Sequence, residues 1–273
     1  MSTASTPLRV AVAGSAGRMG RALLELALDA PDLELGAALD LAGSAAIGRD
    51  AGELAGRRST GMTVTADVAA ALSGIDVLID FTRPQGTLAH LDACLAAGKA
   101  IVIGTTGFSA AEKARIAAAG QRIAIVFAPN MAVGVNVVFK LVDVAARALG
   151  DAFDVEIIEA HHRHKVDAPS GTALRLGEIA AAALGRDLAQ TAVHGRVGDT
   201  GERDPKAIGF HAVRGGDIVG EHTVMFAGMG ERVEVSVRSQ SRTTYAAGAL
   251  RAARFLADKK HGLYDMQDVL GLR

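Results

Sequence analysis

Five short apolar runs punctuate the first half of the chain: LRVAVAG at 8–14, LELGAALD at 33–40, IDVLIDFT at 75–82, KAIVIGTTG at 99–107 and RIAIVFAPN at 122–130. None alternates apolar with polar residues, as a strand with one wet face would. Amphipathic patterns of helical period lie between them, from about Arg18 to Asp29, at 84–97 and at 109–120. Strands buried on both faces and spaced by helices imply a parallel sheet, because a parallel connection must cross over and a helix does so compactly. The fold class expected is α/β, with a doubly wound parallel sheet.

The pattern changes after Asn130. A helix at about 134–149 leads into DVEIIEAHH, and a second helix runs from Ser170 to about Leu184. HGRVGDTGERDPKAIG reads as a long loop. FHAVRGG, DIVGEHTVMFAG and ERVEVSVRSQ alternate in part, which points to antiparallel strands with one face less buried. A last helix begins near Thr243. The organisation expected is a first domain at 1–130, completed by 241–273, and a smaller α+β domain with a mixed sheet at 131–240.

Composition removes several classes of function. A chain of 273 residues with 49% apolar content can bury a sizeable core. No run approaches the roughly 18 apolar residues of a spanning helix, so no membrane role is expected. MSTASTPLRV lacks the basic-then-apolar layout of a secretory signal and reads as a short disordered tail. Cys94 is the only cysteine, which rules out a disulfide within the chain and agrees with a reducing cytoplasm. A formal charge of −1 gives no global field for nucleic acid.

VAVAGSAGRMG places Gly14, Gly17 and Gly20 where the first strand becomes the first helix. The spacing G-x-x-G-x-x-G departs from the commoner G-x-G-x-x-G, but its physics is similar. Small residues let the backbone approach a pyrophosphate, which rests on the free N–H groups of the helix start. Asp40, ending the second strand, stands where an acid can accept hydrogen bonds from ribose hydroxyls. Leu41 follows it and cannot hold a 2′-phosphate as an arginine would, so the cofactor expectation is NADH or NADPH with a lean toward NADH. Arg18 lies close to the phosphate end of the turn. The rule that ligands bind at the carboxyl ends of parallel strands adds FTRP at Phe81–Pro84, GTTG at Gly104–Gly107 and APNM at Ala128–Met131.

The second dense segment is EAHHRHKVDAPSGTAL, from Glu159 to Leu174. Three histidines could supply metal ligands, yet they lack the helical H-E-x-x-H spacing. If the segment is extended, His162 and His164 share one face, while Arg163 and Lys165 share the face of His161 and repel a cation. No metal is expected. A basic edge strand protecting a sheet is the plainer possibility. Against it stands Ser170, a good N-cap, followed by Gly171 and Thr172 at a helix start. Positive side chains facing such a terminus make a place for a carboxylate, doubly so for a dicarboxylate. His161 and Lys165 could handle a proton beside it.

VAVAGSAGRMG, DFTRPQGT, IVIGTTGF and EAHHRHKVDAPSGTAL together resemble the dihydrodipicolinate reductase family, and GFHAVRGGDIVGEHTVMFAGMGERVEVSVRSQSR continues the likeness. The resemblance covers nearly the whole chain from Leu8. It implies a Rossmann-type nicotinamide-binding domain, a substrate and oligomerisation domain, a homotetramer, and a cyclic dicarboxylate substrate reduced in lysine and diaminopimelate synthesis. By resemblance, His161 is the proton donor or acceptor and Lys165 a second donor. His162, Ser170, Gly171 and Thr172 hold the substrate. Gly14, Ser15, Ala16, Gly17, Arg18, Met19, Asp40, Arg83, Gly104, Thr105, Thr106, Ala128, Pro129, Asn130 and Met131 bind the cofactor. Met131 stands where an aromatic residue is common in the family. A dehydrogenase for another small dicarboxylate is the rival of similar chemistry, and a dinucleotide sensor without turnover is the rival of another class.

Overall fold

The computed structural model describes residues 6–273, so the first five residues of the expected tail lie outside the described residues. The chain begins with β1 (Leu8–Ala13), α1 (Arg18–Asp29), β2 (Leu33–Leu39), α2 (Ala51–Leu54), β3 (Val64–Thr65) and α3 (Val68–Ser73). It continues through β4 (Val77–Asp80), α4 (Pro84–Ala97), β5 (Ala100–Ile103), α5 (Ala110–Ala119) and β6 (Ala124–Phe127). Next come α6 (Val133–Leu149), β7 (Asp154–His161), α7 (Gly171–Ala183), α8 (Leu188–Thr191) and β8 (Ala192–His194). The remainder is β9 (Ile208–Arg214), β10 (Gly220–Ala227), β11 (Arg232–Ser239), α9 (Thr243–Leu256), β12 (Gly262–Tyr264) and α10 (Met266–Leu270). Two compact units result, one running to Val133 and resuming at Arg242, the other Gly134–Ser241.

The first unit is built on a parallel seven-stranded sheet in the order β12-β6-β5-β4-β1-β2-β3. Successive residues of each central strand point to opposite layers, and both layers are dry. Val10, Val12, Ile79, Val102 and Val126 face the layer containing α1 and α9. Ala11, Leu78, Ile101, Ile103 and Ile125 face the other, with Leu88 and Leu91 of α4 and Ile116 of α5. That is why the strands carry no polar alternation. From β1 the chain winds outward to β2 and β3, then returns beside β1 at β4 and winds the other way. The reversal puts a switch point between the carboxyl ends of β1 and β4, where Ala13 pairs with Asp80. Close approach fixes α9 as well: a Cβ on Gly248 would lie 1.8 Å from the Met131 carbonyl oxygen. β3, α3, β12 and α10 span two to six residues, too short for a period to stand out in the sequence.

The second unit holds a five-stranded sheet in the order β11-β10-β7-β9-β8. β10 is antiparallel to β11 and to β7, but β9 runs parallel to both β7 and β8. This corrects the expectation that FHAVRGG is antiparallel. The chain leaves β7 through α7 and α8 into β8, and residues 195–207 then carry it back before β9 begins, so β9 is reached by crossovers rather than a hairpin. β7 is also an interior strand, which removes the basic-edge reading. α7 packs on one face of the sheet, where a Cβ on Gly177 would lie 2.4 Å from Phe210 Cζ. Among the described residues, no helix is long and apolar enough to cross a membrane.

Candidate functional site

In the first unit, the expected cofactor residues follow five strands at their carboxyl ends. Gly14–Met19 follows β1, Asp40 follows β2, Arg83 follows β4, Gly104–Thr106 follows β5 and Ala128–Met131 follows β6. Parallel pairing brings these ends along one edge. Gly14 takes φ +70, a left-handed conformation that suits glycine, and a Cβ there would lie 3.0 Å from Thr82 after β4. Ser15 is fully buried and its hydroxyl donates to the Val12 carbonyl at 2.9 Å, locking the turn onto β1. Gly17 caps α1 without a side-chain hydrogen bond. The first N–H groups of an α-helix have no intrahelical partner, so this start suits an anion. Asp40 accepts from the Ala16 N–H at 2.8 Å and from the Leu41 N–H at 2.8 Å. Each of its oxygens keeps a further acceptor site, so ribose hydroxyls remain compatible with its position. Leu41 is 79% exposed. These residues fit a dinucleotide: a left-handed glycine, an uncapped helix and an acid at the next strand end.

Residues absent from the sequence reading organise this edge. Asp80 is fully buried at the end of β4. It accepts from the Thr82 N–H at 2.8 Å, the Thr82 hydroxyl at 2.7 Å and the Thr87 hydroxyl at 3.0 Å, and pairs with His90 Nδ1 at 2.6 Å. The Thr87 and Thr105 hydroxyls share a hydrogen bond at 2.8 Å. Burial opposes the Asp80 charge, but His90 and the Thr82 hydrogen bonds outweigh it and hold the carboxyl below its ordinary range. The turns after β4 and β5 are therefore tied to one anion. Arg83 and Thr106 are exposed, and Pro129 is exposed beside buried Ala128. Asn130 Oδ1 accepts from the Ala132 N–H at 2.9 Å. Met131 is 1% exposed within the core.

In the second unit, β7 ends at His161, and the chain turns at once, with the Lys165 N–H donating to the His162 carbonyl at 3.1 Å. The two-residue alternation expected to separate His162 and His164 from Lys165 therefore stops at His161, which corrects that argument. Alternation does operate within β7, where Glu159 and His161 share a face. His161 Nδ1 lies 2.6 Å from Glu159 Oε2. The guanidinium of Arg214, at the end of β9, grips both Glu159 oxygens at 2.8 Å. The Ser170 N–H donates to Oε1 at 3.1 Å. Ser170 caps α7, accepting from the Ala173 N–H at 3.2 Å and sharing a hydrogen bond with His222 Nε2 at 3.0 Å. Gly171 is exposed at the first helical position. Its N–H belongs to the set that no helical carbonyl can satisfy. Lys165 Nζ donates to both oxygens of Asp167 at 2.8 Å.

The electrostatics follow from this packing. Burial disfavours the Glu159 charge, yet Arg214, His161 and the Ser170 N–H together hold its pKa below the usual value. Burial lowers the His161 pKa; Glu159 pulls it up, while Lys165 and Arg214 add to the lowering, and the net direction is down. Burial and the neighbouring His161 push His222 down to about 4, so it is neutral. Among the described residues, no three His, Cys, Asp or Glu side chains are grouped to hold a metal. Sequence reasoning missed Glu159, Arg214 and His222. Glu159 carried a usable signal, since it precedes His161 by two in a strand. Arg214 and His222 carried none, because their strands had to be paired before either could be placed.

Residues 8–131 match the family profile described as the N-terminus of dihydrodipicolinate reductase, and residues 134–270 match that of its C-terminus. The chain is 63% identical over 267 residues to the 4-hydroxy-tetrahydrodipicolinate reductase of Aromatoleum aromaticum, covering 98% of this chain and 96% of that one. It is 64% identical over 265 residues to the enzyme of the same name from Dechloromonas aromatica, covering 97% and 98%. Among solved structures, a dipicolinate-bound dihydrodipicolinate reductase from Paenisporosarcina sp. TG-14 is similar with a TM-score of 0.77 at 25% identity, over 96% of this chain and 99% of that one.

Proposed function

The chain belongs to the dihydrodipicolinate reductase family, and from that premise we propose how its residues divide the family's reaction. It is an NAD(P)H-dependent oxidoreductase that reduces 4-hydroxy-tetrahydrodipicolinate, after loss of water, to tetrahydrodipicolinate in lysine and diaminopimelate biosynthesis. When bound, the reduced nicotinamide supplies the hydride. The turn at Gly14–Met19 and the uncapped start of α1 hold its pyrophosphate, Asp40 its ribose, and the segments at Arg83, Gly104–Thr106 and Ala128–Met131 the remainder. Leu41, directly after Asp40, cannot hold a 2′-phosphate as an arginine would, which favours NADH.

The start of α7 at Gly171 and Thr172, with Ser170 and His162 beside it, receives the substrate carboxylates. His161 handles the proton. Its Nδ1 is occupied by Glu159, so Nε2 is the atom that gives or takes it. Lys165 is a second donor within the same turn. The observation carrying this reading is the meeting, in one unit, of a histidine held through Nδ1 and a helix start suited to a carboxylate. Association into a homotetramer is part of the proposal, supported by the exposure of Ile158 and Val213 on the sheet. So is residence in the cytoplasm, with which a chain whose only cysteine, Cys94, is buried agrees. Replacing His161 by Ala tests the assignment: turnover should fall about 100-fold or more with NADH affinity nearly unchanged. Intact turnover, or a large loss of NADH binding, would refute it.

A further inference from the structure

Glu159 is 1% exposed and takes four hydrogen bonds: Nη1 and Nη2 of Arg214, Nδ1 of His161 and the N–H of Ser170. A carboxylate has about four lone-pair sites, so its acceptor capacity is filled. Those donors come from β7, β9 and the cap of α7. Arg214 is held in turn, its Nη2 donating to the Asp167 carbonyl at 2.7 Å and its Nη1 to the Val213 carbonyl at 2.7 Å. The result is a fixed anion directly behind one ring nitrogen of His161.

We propose that Glu159, clamped by Arg214, is a positioning residue for the reduction: it fixes the Nδ1–H tautomer of His161, presents Nε2 for proton transfer, and ties that ring to the carboxylate-binding start of α7. The chemistry is that of an acceptor-only group facing an imidazole. An ionised carboxylate can only accept, so the nitrogen facing it must carry the hydrogen. Nε2 then alternates between acceptor and donor as the proton comes and goes. Arg214 has a separate part, because its positive charge offsets the carboxylate. An unopposed buried anion would hold the proton on His161 too firmly for its release. The charged and titratable groups around His161 are Glu159 on its own strand, Arg214 on β9, His222 on β10, and Lys165 with its partner Asp167 on the turn that follows. A Cβ on Gly220, next to the Glu221–Ala160 pair of β10 and β7, would lie 3.2 Å from Nε2, so a side chain there would crowd that atom.

This rests on His161 being the proton-handling group, and the test separates the two claims. Nitrogen-15 NMR of the labelled full chain, with His161 assigned by comparison with His161→Gln, should show neutral His161 protonated at Nδ1; protonation at Nε2 would overturn the proposal without any variant of Glu159. In steady-state assays Glu159→Gln should lose about 10- to 100-fold in kcat, within the range of acid–base assistance, with NADH affinity unchanged. Its His161 pH limb should move to lower pH, since an anion is removed. Arg214→Gln should move the same limb to higher pH. A role confined to packing would not shift the limb in opposite directions. Glu159→Gln with wild-type kcat and an unmoved limb would refute the positioning role, whereas wild-type turnover in His161→Gln would refute the assignment of His161 itself.

Discussion

Replacing Gly20 by Ala tests the cofactor turn from its packing alone. Gly20 lies in the first turn of α1, directly behind the Gly14 bend. A Cβ there would lie 2.1 Å from the Gly14 carbonyl oxygen, 2.7 Å from Ser15 Cα and 2.8 Å from the Gly14 carbonyl carbon. Every obstacle is backbone, and the shortest separation falls more than about 1 Å short of ordinary van der Waals contact. Overpacking of this kind costs about 1–3 kcal/mol. Alanine recovers about 0.8–1.0 kcal/mol of helix propensity relative to glycine. Stability should therefore fall by no more than about 2 kcal/mol, a drop in Tm of several degrees, and the protein should remain folded. The displaced turn is where a pyrophosphate would meet the helix start, so NADH binding should weaken by at least about tenfold, or about 1.4 kcal/mol. Gly74→Ala is the control, because a Cβ there meets only the flexible Arg9 guanidinium, at 3.2 Å. Fluorescence titration with NADH and thermal melts of both variants supply the readout. Gly20→Ala binding NADH within twofold of wild type would refute the claim that close helix–turn packing builds the cofactor site.

Leu41→Arg places a cation beside Asp40 and should raise the NADPH-to-NADH ratio of kcat/KM about tenfold; an unchanged ratio would show that this position does not read the 2′-phosphate. Asp80→Ala strands the Thr82 N–H and the hydroxyls of the threonine cluster, so the variant should lose about 2–4 kcal/mol of stability by denaturant titration, and a loss under 1 kcal/mol would show that the network is dispensable. Glu156 is buried, which works against its charge, but Arg196, His211 and Arg203 hold its pKa at about 2. Since the folded value lies below the ordinary 4.5, its stabilising contribution is complete above that value and is lost as pH falls toward 2. Glu156→Gln should flatten that part of the acid unfolding curve, and an unaltered slope would contradict the linkage. Cys94 is fully buried and its thiol is pushed up to about 12, so native protein should react with iodoacetamide at least about 100-fold more slowly than the unfolded chain; comparable rates would contradict its burial.

The sheet of the first unit was legible because its strands are buried on both faces, leaving uninterrupted apolar runs such as the one at Val10–Ala13. The glycine turn was legible for a related reason: backbone that must approach other backbone excludes side chains, and Gly14, Gly17 and Gly20 record that in the sequence. The parallel course of β9 was not. Partial alternation reports which faces are wet, whereas direction depends on the connections through α7, α8 and β8 and on the return at 195–207, which leave no periodic trace in Ile208–Arg214. The anion-pocket reading of the segment after Glu159 came from residue chemistry and a capping serine, both local properties. Its supports were partly hidden because they are long-range: Arg214 and His222 reach the site only through strand pairing. Asp80 was hidden differently: Thr82 and Thr105 stood out only as turn residues at the expected cofactor edge, and Thr87 and His90 read as ordinary helix residues until the ends of β4 and β5 lie together.

The central claim is tested most directly by following NADH and NADPH oxidation with 4-hydroxy-tetrahydrodipicolinate generated in place from pyruvate and aspartate semialdehyde by its synthase. Rapid oxidation that depends on all components, faster with NADH and reduced about 100-fold or more in His161→Ala, is the predicted result. Protein that binds NADH yet oxidises neither cofactor with this substrate would contradict the account.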